Sequence, residues 1–459
     1  MFVEQVSRAA KIFKAVAKQK KVKLFSHLDA DGLCSAAIII KAMLREGINF
    51  ELKIVKQLTA DIIDKIEVSE NDVLFFTDLG SGQLKSLQKF FDKTQIFILD
   101  HHEPEKVSHV SNINLFHMNP LAFMEEEISS SMICYLFAKS INAANTQLAD
   151  LAAVGAVGDE QDEKWEFKGS AKKIIEEGEI IGKIVVNKGM RLYGRNTRPL
   201  HKALANSFDP YIPGISGDES AAVQFLSELG IDVKYKDQWK KLKDLTTEEQ
   251  QKLASAIIME RMKLSDVTAE DIFGDNYTLL GRPEELEDAR EFATMLNACG
   301  RLGRYDVALR LCLNDRIALM LADEVIESYR KILSESLEIF RTNPQIVTKT
   351  NFANYLIFEN RIPDTVVGTI TSIALNSAMI DAGKPVFGFV DTENNMVKIS
   401  VRVGREVKNI NLRDVVLFAA SAVGGEAGGH RMAAGGLIAK GKEKEFIQAA
   451  DKVIEEQLK

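Results

Sequence analysis

The stretch "LFSHLDADG" places His27, Asp29 and Asp31 at the end of an apolar run, and "LFFTDLG" does the same with Asp78. "FILDHH" delivers Asp100, His101 and His102 together, and "LADLAAVGAVGDEQD" carries Asp159 at the polar end of a stretch of small residues. Each run stays apolar until its last residues, so carboxylates and imidazoles must gather where buried elements end. A single aspartate in such a place is usually a turn residue or a helix cap. Four segments doing the same thing point to chemistry. Carboxylates crowded in this way repel one another and resist desolvation, and a bound cation relieves both costs. Oxygen and imidazole donors without a thiolate motif suit Mn²⁺ best, ahead of Mg²⁺ or Zn²⁺. The donors outnumber the needs of one four-coordinate ion, so two divalent ions are expected. A pair ~3.5–4 Å apart can clamp a phosphoryl group and acidify a water. The reaction class that follows is hydrolysis of a phosphate ester.

The elements that must position these groups can be read from the pattern around them. "KVKLFS", "NFELKIVK", "DVLFFTDLG" and "TQIFILDHH" read as strands. "LCSAAIIIKAMLREG", closed by Gly47, and "QLKSLQKFFDK" read as helices between them. This alternation predicts an α/β fold, a parallel sheet with helices on both faces, whose ligand sites lie beyond the carboxyl ends of the strands. The middle of the chain is rich in Lys and Glu and reads as mostly helical, with capping signals at "TTEE" (Thr246 to Glu249) and "TAED" (Thr268 to Asp271). "LADEVIESYRKILSESLEIFRT" predicts one long helix ending near Pro344. Beyond it, "ANYLIFEN", "KPVFGFVD" and "MVKISVRVG" read as strands around the helix "VVGTITSIALNSAMIDAG", a smaller α/β unit.

At 459 residues the chain should form two or three domains. A hydrophobic content of 46% with no run long enough to span a bilayer predicts a protein with no membrane association. The amino-terminal segment reads as a charged amphipathic helix without a secretory h-region, which predicts a cytoplasmic location. Cys34, Cys134, Cys299 and Cys312 are scattered, with neither the pairing of a disulfide framework nor the spacing of a zinc module. A formal net charge of −8 argues against a non-specific polybasic nucleic-acid binder. It leaves room for a local basic groove that works together with bound cations.

The segments "DADG" (29–32), "TDLG" (77–80), "DHH" (100–102) and "GD" (158–159) resemble the ordered motifs of the DHH phosphoesterase superfamily, and "GGEAGGHRMAAGG" (424–436) resembles the GGH motif of its DHHA1 domain. The resemblance implies Asp29, Asp31, Asp78, His101 and Asp159 as metal ligands, with Asp78 the bridge. His102 would sit near the substrate and Asp100 would orient a histidine. His27 stands two residues before Asp29, where pyrophosphatase-like members place a ligand histidine four before. It either binds metal or lines the site. Ser400 and Arg402 alternate onto one face of a strand and, with Gly428, Gly429, His430 and Arg431, resemble the family's phosphate clamp. "LNACGRLGRYD" resembles a RecJ element that would bring Arg301 and Arg304 near the substrate, and "YGRNTRPLHK" adds basic charge.

Within the superfamily the chain most resembles archaeal RecJ-like nucleases of the GINS-associated type. That resemblance implies a DHH catalytic domain at 1–190, a linker at 191–214 and a mostly helical, partner-binding insertion at 215–325. A connector helix at 326–345 and a DHHA1 substrate-binding domain at 346–459 complete the layout. It further implies a metal-dependent exonuclease acting on single-stranded DNA or RNA in replication or repair, with the GINS complex as partner. An oligoribonucleotide or cyclic-dinucleotide phosphodiesterase and a non-catalytic replisome scaffold are the alternatives. Eukaryotes keep a catalytically degenerate relative in their replicative helicase, but a degenerate chain would have lost metal ligands, and all five are present here.

Overall fold

The computed structural model describes residues 2–105, 112–207, 210–263, 268–375, 380–381, 383–392, 395–404, 407 and 409–459. The chain divides into two compact units, Met1–Ala322 and Asp323–Lys459.

The first unit opens with α1 (Phe2–Ala17), β1 (Lys21–His27), α2 (Ala30–Glu46), β2 (Phe50–Val55), α3 (Ala60–Asp64) and β3 (Asp72–Thr77). It continues through α4 (Leu84–Leu87), β4 (Ile96–Leu99), β5 (Leu115–Met118), α5 (Ser130–Ile141), α6 (Ala149–Gly158) and α7 (Gly169–Ile180). The strands form one parallel sheet in the order β2-β1-β3-β4-β5. The chain leaves β1 for β2 on one side and returns to β3 on the other, so the crevice beyond β1 and β3 is a topological switch point. β3 and β4 are buried throughout, as central strands covered on both faces must be. One face carries Phe75 and Phe97, whose rings meet Phe13 of α1 and Phe137 of α5 at centroid distances of 5.0–6.2 Å. The other face carries Leu74, Phe76, Ile96 and Ile98, packed with Leu58, Ile63, Leu84, Leu87 and Phe90.

Two details differ from the sequence reading. The predicted helix "QLKSLQKFFDK" is a four-residue α4 between two 3₁₀ turns, Ser81–Gln83 and Gln88–Phe90. Its buried residues Leu84, Leu87, Phe90 and Phe91 keep one face against the sheet, while the backbone tightens into 3₁₀ turns at both ends. A fifth strand, β5, was not anticipated because "LFHM" is only half-buried and too short to show a pattern.

The segment that follows builds its own small core. β6 (Ile184–Met190), α8 (Leu200–Ala205), α9 (Glu219–Glu228), the hairpin β7 (Lys234–Tyr235) and β8 (Gln238–Trp239), α10 (Thr247–Arg261) and β9 (Phe273–Leu279) come in turn. Leu200, Leu204, Ile212, Leu226, Leu253 and Ile257 pack together within it. Thr246 and Glu249 form the predicted capping box at the start of α10. Thr268 and Asp271 form the same box, yet it opens only a 3₁₀ turn, and β9 follows. A capping box satisfies the first N–H groups of a helix but does not supply the apolar stripe that prolongs one. β9 pairs antiparallel with β6 and leads into α11 (Ala289–Arg301) and α12 (Tyr305–Cys312).

The long helix α13 (Ile317–Thr342) runs into the second unit, which contains β10 (Val347–Lys349), β11 (Asn354–Glu359), α14 (Val367–Leu375), β12 (Val386–Thr392) and β13 (Met396–Arg402). α15 (Leu412–Ala422), β14 (Glu426–Gly429), β15 (Ala433–Ala439) and α16 (Glu443–Leu458) complete it. Its sheet runs β10-β11-β12-β13-β15-β14, antiparallel except between β11 and β12. Of the helix expected over 366–383, residues 367–375 are helical, while 376–379 and 382 lie outside the described residues. On β13, Val397, Ile399 and Val401 enter the core with Phe387, Phe389, Val416 and Phe446, which leaves Ser400 and Arg402 on the opposite face.

Candidate metal centre

β1 ends at His27 and the chain turns at once into α2. Asp29 is the N-cap of α2, its Oδ1 accepting from Gly32 N at 3.0 Å, while Oδ2 lies 2.9 Å from His27 Nδ1. A Cβ at Gly32 would fall 2.5 Å from the His27 carbonyl oxygen, so only glycine lets strand end and helix start approach this closely. Asp78 follows β3 directly, with φ at 59°, a left-handed conformation that aspartate tolerates better than most residues. Its two oxygens face opposite ways. Oδ2 lies 3.5 Å from His27 Nδ1, and Oδ1 lies 3.5 Å from His101 Nε2.

Asp31 sits in the first turn of α2 and reaches the start of α5, where its two oxygens accept from Ser130 N at 2.8 Å and Ser131 N at 3.0 Å. Ser130 Oγ also donates to Asp78 Oδ1 at 3.0 Å. The positive end of α5 thus steadies two carboxylates at once. Asp159, the C-cap of α6, places Oδ2 3.5 Å from His101 Nε2. Asp100 accepts from Ser81 N through Oδ2 and lies against His102 Nδ1 through Oδ1, at 2.7 Å. Among the described residues of the first unit, donor atoms gather in groups each within a 4.8 Å span: His27, Asp29 and Asp78; Asp31, His101 and Asp159; and Asp78, Asp100 and His102. Asp78 belongs to two of them.

The electrostatics follow from this crowding. Burial pushes Asp159 up to about 7 and Asp31 well above the carboxylate range, and in both cases the Asp78 charge adds to the effect. Burial would raise Asp78 as well, but His101, His27 and His102 outweigh it and hold that carboxyl well below its usual value. Asp100 is lowered in the same way, chiefly by His102 acting against burial. Burial opposes charge on His27 and His101, yet the surrounding aspartates raise both. In the chain alone, protons do the work of neutralising this cluster. A donor set of packed carboxylates and imidazoles fits hard or borderline divalent ions, which would take the protons' place.

Sequence reasoning missed several supporting residues. Glu127 Oε1 lies 2.8 Å from His101 Nδ1, and Gln161 donates to Asp159 Oδ2 at 3.0 Å. Ser129, Ser130 and Ser131 are fully buried. Three serines heading a buried helix were a readable signal, whereas "EEEI" gave no sign that Glu127, itself exposed, reaches a buried histidine. A carboxylate on the far nitrogen of a ligand histidine fixes its tautomer and orientation. Glu127→Gln is therefore expected to weaken Mn²⁺ binding about 10-fold or more, measured by calorimetry.

Arg301 ends α11, and Arg304 lies just beyond it with Nε 3.2 Å from Asp306. In the second unit, Arg402 donates to Ser400 Oγ at 3.1 Å and to the Val401 carbonyl. Gly428 pairs with Gly435, Gly435 with Ser400 and Ser400 with Gly388, so a row of small residues crosses four strands. His430 N donates to the Ala433 carbonyl at 2.7 Å and closes the β14–β15 turn, with Arg431 beside it.

Comparison with known proteins accounts for this layout. Three family models match: the DHH family N-terminal domain over 21–156, the DHH-CID domain over 192–273 and the DHHA1 domain over 354–456. An uncharacterized protein of Methanocaldococcus jannaschii is 30% identical over the whole of both chains. The chain belongs to the DHH/DHHA1 superfamily. Among solved structures of that fold, RecJ of Thermus thermophilus in complex with Mn²⁺ superposes with a TM-score of 0.60 at 17% identity. The match covers 98% of this chain and 55% of RecJ. CDC45 of Entamoeba histolytica superposes at 0.68 with 13% identity over 99% of both chains. The DHH/DHHA1 fold is thus common to proteins with different names, and the site has to carry the functional argument. Among the described residues, no helix is long and apolar enough to cross a membrane.

Proposed function

We propose that this DHH/DHHA1 protein is a metal-dependent, single-strand-specific exonuclease that hydrolyses phosphodiester bonds of DNA or RNA. The observation that carries the reading is the convergence of Asp29, Asp31, Asp78, Asp159, His101 and His27 in groups of donor atoms spanning no more than 4.8 Å. When bound, two divalent ions supply charge neutralisation at the phosphoryl group and an acidified water. The chain does the rest. Asp29 and His27 hold one side, Asp31, His101 and Asp159 hold the other, and Asp78 reaches both. Glu127 and the start of α5 keep these groups in place. His102, its Nδ1 held by Asp100, presents the Nε2 edge to the departing oxygen and stabilises the charge that develops there. Ser400, Arg402, the Gly428–Gly429 backbone and His430 grip substrate phosphates, with Arg301 and Arg304 adding positive charge near the strand.

The deciding assay uses end-labelled single-stranded and duplex DNA and RNA with Mn²⁺ or Mg²⁺. Stepwise shortening of single strands, with duplex spared, is expected. Faster turnover of a dinucleotide than of a twenty-mer would instead make the protein an oligonucleotide or cyclic-dinucleotide phosphodiesterase. No hydrolysis at all would leave the scaffold reading, against which the complete ligand set argues. Arg402→Ala should raise KM for a twenty-mer about 10-fold with a smaller change in kcat, because a phosphate contact remote from the reacting bond contributes mainly to binding.

We also assign the protein to replication or repair in company with GINS, through the insertion at 215–325. Deleting that segment should abolish capture of GINS from solution. Undiminished capture would remove the assignment.

A further inference from the structure

Helix α11 lies in the last part of the 215–325 segment, yet it touches the catalytic loops at several points. Asn297 Oδ1 accepts from Ala30 N at 2.9 Å, across a separation of 267 residues. Ala30 is the first residue of α2, and its N–H is one of the groups a helix cannot satisfy internally. Asp29 caps Gly32, so Asn297 completes the cap from outside. Three residues on, a Cβ at Gly300 would lie 1.9 Å from the Leu28 carbonyl oxygen, so the helix backbone rests directly on the loop that carries Asp29 and Asp31. At its other end α11 reaches the turn after Asp159, where Arg290 pairs with Asp162 and its guanidinium carbon lies 3.8 Å from the centre of the Trp165 ring. The start of α11 is in turn fixed to the linker: Arg195 Nε donates to Asp288 at 2.6 Å, and Asn196 N donates to Glu291 at 3.0 Å.

We propose that Asn297 is a positioning residue of the metal centre, and that docking of α11 sets the affinity of the site for its ions. The proposal rests on the two-ion reading above. Asn297 acts on a backbone N–H of α2. It holds the peptide between Asp29 and Asp31, whose carboxylates belong to different donor groups, and so governs how far apart the two halves of the site stand. α11 follows β9 after the turn at 280–288, so a displacement of the insertion is passed to the metal centre through the contacts of this helix.

The test measures Mn²⁺ binding to the full chain by calorimetry, alongside the thermal midpoint without metal. Asn297→Leu keeps the branched shape of the side chain, somewhat enlarged, and removes the acceptor. Its Mn²⁺ dissociation constant should rise about 10- to 100-fold, the cost typical of losing a group that orients metal ligands, with the metal-free midpoint within a few degrees of wild type. Asn297→Asp keeps the acceptor and should bind within about threefold of wild type. If Asn297→Leu does not fold, Asn297→Ser is judged by the same criterion. Unchanged Mn²⁺ affinity in a folded variant lacking the acceptor overturns the proposal and leaves the nuclease reading intact. Failure of the wild-type chain to take up Mn²⁺ overturns both.

Discussion

Replacing Asp78 by alanine is expected to reduce hydrolysis of single-stranded DNA at least about a thousand-fold, the scale on which one preorganised electrostatic contact acts in a water-poor site. Asp78 is singled out because its oxygens reach both halves of the site, one toward His27 and the other toward His101. Asp78→Asn, which keeps the shape and removes the charge, should lose activity almost as completely, and both variants should take up less Mn²⁺. Both should keep a cooperative thermal transition without metal but at a lower midpoint, since the Asp78 charge is favoured by His101, His27 and His102. An Asp78→Asn enzyme with near-normal rates would show that the carboxylate is ornamental. A variant that is inactive only because it is unfolded would be recognised by its lost thermal transition.

The second large effect concerns the metal and pH together. At a Mn²⁺ concentration about 100 times its dissociation constant, binding adds about 2.7 kcal/mol, or about 5 °C in the thermal midpoint of the unit that holds it. This increment should grow as pH rises from 5 to 8. Asp159 is raised to about 7 and Asp31 is raised as well, both by burial first, while His27 and His101 are raised by their aspartate neighbours against the effect of burial. A raised folded value means that protons bind the folded chain more tightly than the unfolded one. The resulting stability is complete below the unfolded values and is lost as pH climbs through the folded ones. Asp78 and Asp100 are shifted the other way, so their contribution fails only in acid, below the ordinary carboxylate value near 4, and stays constant over this window. Without metal the site therefore weakens the fold with rising pH, while an ion that takes the protons' place restores it. Calorimetry near pH 6.5 should record protons released as Mn²⁺ binds. A metal increment that shrinks between pH 5 and 8 would contradict this account.

Much of the site could be read in the chain because its donors lie on short segments whose geometry is locally determined. "KVKLFSHLDADG" announces a strand, a cap and a helix start, and local rules then place His27, Asp29 and Asp31 at a strand's carboxyl end. The supporting shell was not legible, because it is made of long-range contacts. Nothing near Glu127 reveals that it meets a histidine 26 residues earlier, and nothing near Asn297 reveals the backbone group it caps. The same limit explains the secondary-structure errors. "LKSLQKFF" has the composition and apolar spacing of a helix, and no local signal marks the 3₁₀ turns into which its two ends tighten. "TAED" carries a genuine cap in front of a strand whose partner, β6, is remote in sequence.

The left-handed backbone at Asp78 has a consequence for anyone who would retune the centre toward another element. A softer donor at this position, such as cysteine for a copper- or zinc-selective variant, would have to adopt a φ of 59° that costs most side chains about 1–2 kcal/mol. The carboxylate best placed to decide which element is accepted is thus among the hardest to exchange. Engineering of selectivity is better directed at Glu127 or Gln161, which stand one step behind the donors and are not among the left-handed residues.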